Sequence, residues 1–154
     1  MLVGSLAIQT FLYYPKLPDT MASHFGANGM ANGFQSKPVF FAFFLGLVAV
    51  AAIFAYGVPA IISYKPEMTN LPNKEKWLAP EHRAGALSFL AAHFTGLGCA
   101  MLVLGNVLLY EIVQFHLRQE TSIPASTFVT ILVSFLMFVA YWSFRLFTRL
   151  GSFS

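Results

Sequence analysis

Three stretches of this chain contain no Asp, Glu, Lys or Arg: Pro38 to Tyr64, Ala84 to Tyr110 and Thr121 to Phe144. An α-helix rises about 1.5 Å per residue, so about 20 residues cross hydrocarbon about 30 Å thick. Each stretch is long enough. A charge at mid-bilayer costs about 2.5 to 3.5 kcal/mol on insertion scales, so neutral runs of this length are what lipid selects. Of the 154 residues, 57% are hydrophobic and 10% charged, whereas a soluble domain carries about 25% charged residues. The runs are continuously apolar and lack the alternation of barrel strands. The fold class that follows is all-α: one polytopic transmembrane bundle of about four helices over residues 1–154, with spans near 1–14, 38–64, 84–115 and 124–148.

The first of these spans is short. Met1 to Pro15 is uncharged, but as a helix it reaches only roughly 20 Å. It is expected to tilt poorly, to thin the bilayer, or to have lost upstream residues to a misplaced start. A cleaved signal peptide fits less well, because a basic n-region and a clear small-x-small cleavage site are missing. The single cysteine, Cys99, lies mid-span and supports neither an internal disulfide nor a CxxC pair. The net charge of +3 reflects basic residues in loops and at helix ends, which speaks for membrane topology and against nucleic acid as a partner. Lys65, Lys74, Lys76, Arg83, Arg145 and Arg149 fall on one side, and Lys16, Lys37 and Arg118 on the other. This asymmetry puts the Lys65–Arg83 loop and the C-terminus in the cytoplasm.

Inside the spans, Gly57 and Pro59 predict a kink, since proline removes one helical hydrogen bond. Ala92, Gly96 and Ala100 recur every fourth residue and predict close helix–helix approach. Gln9 and Asn106, polar in apolar surroundings, are expected to join helices by hydrogen bonds.

Two connections are unusually specified. The first reads Tyr14-Pro15-Lys16-Leu17-Pro18-Asp19, then Ser23-His24-Phe25-Gly26, Asn28-Gly29, Asn32-Gly33 and Lys37-Pro38. Both Asn-Gly pairs predict tight turns, because Asn and Gly tolerate positive φ. The second runs Asn70-Leu71-Pro72-Asn73-Lys74-Glu75-Lys76-Trp77-Leu78-Ala79-Pro80-Glu81-His82-Arg83. Trp77 suits the membrane interface. Pro80 suits the start of the third span, with Glu81 in its first turn.

The Leu-Pro-Asp, His-Phe-Gly, Gly and Lys pattern of the first connection resembles the domain of unknown function 1648 (DUF1648) family of bacterial membrane proteins, found alone and within SdpI-like proteins. The matching residues there are Pro15, Leu17, Pro18, Asp19, His24, Phe25, Gly26, Gly29, Gly33 and Lys37. The second connection resembles the loop after the next helix in such proteins, through Asn70, Pro72, Asn73, Lys74, Trp77, Pro80 and Arg83. Asn32 stands where the family often has an acid, Phe34 where it often has Trp, and Met21-Ala22 replace Ile-Pro. The resemblance implies a bacterial inner-membrane protein, and its SdpI-like version implies immunity to a secreted toxin or signalling.

No hydrolase elbow, HExxH helix or phosphate-binding glycine loop occurs, so no catalytic residue is expected and the chain does not read as an enzyme. His93, midway along the third span, is the intramembrane polar candidate. It reads first as a hydrogen-bonded structural histidine, with haem ligation or proton relay as alternatives. No cofactor is expected, although Asp19 and His24, with Glu111, His116 and Glu120 on the same side, are candidate ligands for a divalent metal. The function expected is non-enzymatic binding at the ordered first connection, with another membrane protein or a secreted peptide as partner beside the lipid bilayer. An accessory subunit of a respiratory or transport complex is the alternative, and a small transporter or channel the second alternative.

Overall fold

Proline and charge set the limits of the long helices. The structure, a computed structural model, describes residues 1–70 and 73–151. Three helices are long and apolar enough to cross a membrane: Lys37–Tyr64, Pro80–Leu117 and Ala125–Gly151. A shorter helix, α1 (Leu2–Tyr13), precedes them. Two strands, β1 (Thr20–Phe25) and β2 (Ala31–Ser36), form an antiparallel hairpin between α1 and the next helix. The second span is divided into α2 (Lys37–Ala52), a π-turn over Ile53–Gly57, and α3 (Val58–Tyr64). A four-residue helix, α4 (Lys74–Trp77), leads into α5 (Pro80–Leu117), and α6 is Ala125–Gly151. Pro80 opens α5 with Glu81 in its first turn, as expected. Its missing N–H is one the helix leaves unpaired there in any case.

The kink expected at Gly57 and Pro59 takes the form of the π-turn. Val58 N–H reaches back five residues to the Ile53 carbonyl, and Pro59 has no N–H for the carbonyl of Ala55. In hydrocarbon an unsatisfied carbonyl costs several kcal/mol. Thr95 of α5 meets this need: its hydroxyl donates to Ala55 O at 3.2 Å. The hydroxyl arrives because Gly98 brings the two backbones together. A Cβ at Gly98 would lie 2.2 Å from Ala55 N.

This crossing corrects the expectation for the small-residue stripe. The close approach is at Gly98 and not at Gly96, where an added Cβ would meet nothing within 4 Å. Ala92, Gly96 and Ala100 instead border hollows between α5 and α6.

The central element is α5. Its Leu102, Leu109 and Val113 are buried with Leu6 of α1 and with Phe40, Phe41, Phe44 and Ala51 of α2. Asn106 joins α1 to α5 in the way expected of it. Its Oδ1 accepts from Ser5 Oγ at 2.6 Å and Gln9 Nε2 at 3.0 Å, and its amide donates to the carbonyls of Leu2 at 3.2 Å and Leu102 at 2.8 Å. Trp77, expected to keep its N–H wet, is instead covered by protein. It is fully buried, with its ring centroid 6.4 Å from that of Phe89. Packing under the start of α5 takes its whole surface.

Gly98→Ala is expected to destabilise the detergent-solubilised protein by about 2 kcal/mol or more, since backbone cannot yield as a side-chain tip can. Gly96→Ala should change stability by less than about 1 kcal/mol, in the favourable direction, because Ala outranks Gly in helices. Thermal unfolding of the two variants side by side checks the pair.

Candidate functional site

The hairpin sits at the C-terminal end of α5, and three sets of contacts hold it. At its root, Lys37 gathers the proline-rich approach. Lys37 N–H donates to Asp19 O at 2.7 Å, and its Nζ donates to Leu17 O at 2.8 Å and lies 4.9 Å from the centroid of the Tyr14 ring. The Lys37 side chain is 13% exposed, whereas that of Asp19, 3.6 Å from the ammonium, is 103% exposed. An ion pair with so exposed a partner contributes little. The carbonyl and the ring face therefore hold this lysine more than the carboxylate does. Tyr14 in turn packs edge-on to Phe41, with centroids 5.0 Å apart.

Along its buried edge, Ala22 N–H donates to Nε2 of His116 at 3.0 Å. Phe25 packs against Phe115 at 5.2 Å and Phe128 at 5.3 Å. At its tip, Gly29 O accepts from Ile123 N–H at 3.0 Å, and Met30 bridges to Ser122 in antiparallel fashion. The connection between α5 and α6 thus adds a short backbone pairing to the hairpin turn.

Glycine is required at two points here. Gly29 has φ +78°, and a Cβ on it would stand 1.9 Å from the Ile123 carbonyl oxygen. Gly33 faces His24, whose Cβ lies 2.8 Å from where its own would be. Of the two expected Asn-Gly turns, Asn28-Gly29 is one, with Asn28 Oδ1 accepting from Met30 N–H at 3.1 Å. Asn32-Gly33 is not a turn. It lies inside β2, where the register shifts twice, between Ala22 and His24 and between His24 and Phe25. These irregularities leave Asn32 exposed, with its Oδ1 bonded to Nδ1 of His24.

The exposed surface of the hairpin combines this His24–Asn32 pair with two large apolar side chains, Met30 at 53% and Phe34 at 58% exposure. Met21 and Ala22 on β1 are completely buried. Of the expected first-connection residues, Gly26 lies in the turn and accepts from Gly29 N–H at 2.8 Å. Pro18 is exposed between the 3-10 turn and β1. Ser122, Ile123 and Phe128 belong to the assembly but were not legible from local sequence.

The candidate metal ligands do not assemble into one site. Asp19 faces Lys37, His24 faces Asn32, and His116 faces Ala22 N–H. Among the described residues, no group of three or more His, Cys, Asp or Glu side chains is placed to share an ion.

The second expected segment is far away, at the N-terminal end of α5. Asn73 is left-handed at φ 52° and starts α4, Lys74 Nζ donates to the Glu67 carbonyl, and Trp77 is buried. Asn70 borders a hollow of about 290 Å³ with Ile62 and Leu90. Arg83 is exposed on the first turns of α5. Pro72 lies outside the described residues. The length of α5, 38 residues or about 57 Å, separates the two segments. His93 is midway. Its ring stacks on Trp142 at 4.5 Å and on Phe89 at 5.1 Å, and its carbonyl accepts from Trp142 Nε1 at 2.9 Å.

A helical bundle with three spans of this length and apolarity, capped at one end by an ordered hairpin, defines a polytopic α-helical membrane protein. Residues 1–50 match the family model described as a domain of unknown function, DUF1648, which takes in α1, the hairpin and most of α2. No curated protein and no solved structure matches the chain.

Gly29→Ala is expected to cost about 2 kcal/mol or more, because a left-handed φ and a backbone clash act together. His116→Leu leaves the Ala22 N–H buried without an acceptor and should cost about 1 to 3 kcal/mol. In both variants, hydrogen exchange should accelerate at amides 20–36 and 122–124 and remain slow at 98–106.

Proposed function

We propose that this chain is a non-enzymatic binding protein of the bacterial inner membrane, using the hairpin as its recognition surface. The observation that supports the reading is the presentation of Met30 and Phe34 on a backbone held at root, edge and tip. A large apolar side chain on a rigid support loses little entropy on binding, and such anchors carry most of an interface's energy. The charge asymmetry favours the hairpin facing outward, with Lys65–Arg83 and the C-terminus in the cytoplasm. In that orientation the surface meets a secreted peptide or the outer part of another membrane protein. Among the roles open to such a surface, immunity or signalling is suggested by the resemblance of the first connection to SdpI-like proteins, the matched family model itself being one of unknown function. Haem and divalent metal have no part in this reading.

A second reading, an accessory subunit of a larger membrane complex, draws on α6, none of whose residues is buried. A stoichiometric partner on native electrophoresis after gentle extraction would support it.

The immunity form is tested by challenging cells with and without the protein with a secreted peptide toxin. Protection is expected with the wild type. It should fall about tenfold or more with Met30→Ser/Phe34→Ala, since truncating one anchor costs about 2 kcal/mol. Equal killing in all three strains overturns immunity, and full protection by the double variant overturns the hairpin as its surface.

A further inference from the structure

The groove between α5 and α6 runs along the middle of α5, with its basic end directed away from the hairpin, and plays no part in the reading above. Three hollows follow one another along it. The first, about 370 Å³, is bordered by Phe89, Arg145, Thr148 and Arg149. The second, about 280 Å³, shares Phe89 and Arg145 with the first and adds His93, Gly96, Phe138 and Trp142. The third, about 390 Å³, shares Phe138 with the second and continues between Ala100 and Val107 on α5 and Ile131 and Phe135 on α6. From Phe89 to Val107 the groove runs about 27 Å along α5, longer than one leaflet's share of the hydrocarbon, about 15 Å.

Its polarity is graded. At one end Arg145 has Tyr141 as its partner, with Nη1 donating to the phenol oxygen at 3.2 Å, and no carboxylate pairs with it among the described residues. Arg149 stands one turn further on, with its guanidinium 6.0 Å from the Phe89 ring centroid. Next comes the stacked wall of Phe89, His93 and Trp142, in which Nε2 of His93 is buried with no hydrogen-bond partner among the described residues. Beyond it the floor is made of Ala92, Gly96 and Ala100, and the space over Gly96 is unfilled. Guanidinium, then imidazole and indole, then hydrocarbon is the order of groups met by a phospholipid that enters a bilayer phosphate-last.

We propose that this groove binds an anionic phospholipid, with its phosphate at Arg145 and Arg149 and one acyl chain laid over Ala92, Gly96 and Ala100. The guanidiniums supply planar, bidentate donors that suit a phosphate. The His93 residue borders the second hollow, next to the arginines. Basic pockets between spans on the cytoplasmic side suit anionic headgroups in this way. The small residues serve here to leave room for a chain, and α6 is held to α5 in part through lipid. A second copy of this chain, laid helix against helix in the groove, is the competing occupant.

The test is native mass spectrometry of the delipidated full-length protein, titrated with phosphatidylglycerol or phosphatidylcholine of identical acyl chains. The wild type should retain phosphatidylglycerol about 25-fold more strongly, since each of two basic groups contributes about fivefold. Arg145→Gln/Arg149→Gln should bring the ratio close to one, while Arg145→Lys/Arg149→Lys keeps most of it. Lys16→Gln/Arg118→Gln, at the hairpin end, should leave it unchanged. Gly96→Leu fills the groove without altering charge and should reduce retention of both lipids, which keeps the proposal testable if the glutamine variant does not fold. A wild-type ratio near one, a ratio that survives the loss of both arginines, or one lost equally in the Lys16/Arg118 variant overturns the proposal. So does a lipid-free dimer that cross-links through position 138.

Discussion

A polar backbone group left bare in hydrocarbon costs several kcal/mol, and the break in the second span is placed where another segment meets that demand. Pro59 deprives the Ala55 carbonyl of its donor, and Thr95 supplies one from the neighbouring helix. The approach this needs is possible only because position 98 lacks a Cβ. Pro59 thus sets the break in the second span, and Gly98 sets the distance between the two helices at its level. Asn106 acts in the same manner for α1, tying its first turns to α5 through carbonyls and side chains together.

The hairpin extends this logic into water. Its root, edge and tip are fastened by Lys37, His116 and Ile123, which come from three different parts of the chain. Two of these fastenings reach the last turn of α5 and the connection that follows it. The hairpin therefore orders the α5–α6 connection as much as that connection orders it. A strand pair of six residues each is marginal alone in water. Here Met21 and Ala22, adjacent on β1 and so on opposite sides of it, are both completely covered, in two separate apolar clusters, while Met30 and Phe34 remain as presented groups on a fixed support.

The far end of the molecule is built differently. There α6 meets α5 through the Trp142–His93 contact, with hollows above and below it. Stability is thus distributed unevenly: α1, α2 and α5 share one apolar core, while α6 has no buried residue. Among the described residues α6 is covered along one side by α5 and by Phe25 of the hairpin, and lipid is the solvent for the rest of it.

The neutral runs, Pro59 and Pro80 were read correctly from local sequence because each acts through its own backbone or its own solvent. Lipid excludes charge wherever the segment packs, and proline lacks an N–H in every context. The Asn28-Gly29 turn was legible for the same reason, since positive φ is a local preference. The strands were not: Thr20–Phe25 and Ala31–Ser36 carry little β-branched alternation, and their pairing includes two register shifts. Asn32-Gly33 looked like a second turn because its composition is that of one, and only cross-strand pairing puts it in β2. Which small residue is a contact could not be read from spacing, since Gly96 and Gly98 differ only in what faces them. By itself the amino-acid order determined the solvent and the number of long spans, both properties of single segments. The tertiary structure decided which glycine touches backbone, that His116 receives an N–H from a residue 94 positions earlier, and which side of α5 stays open, because each depends on distances between segments that no local preference encodes.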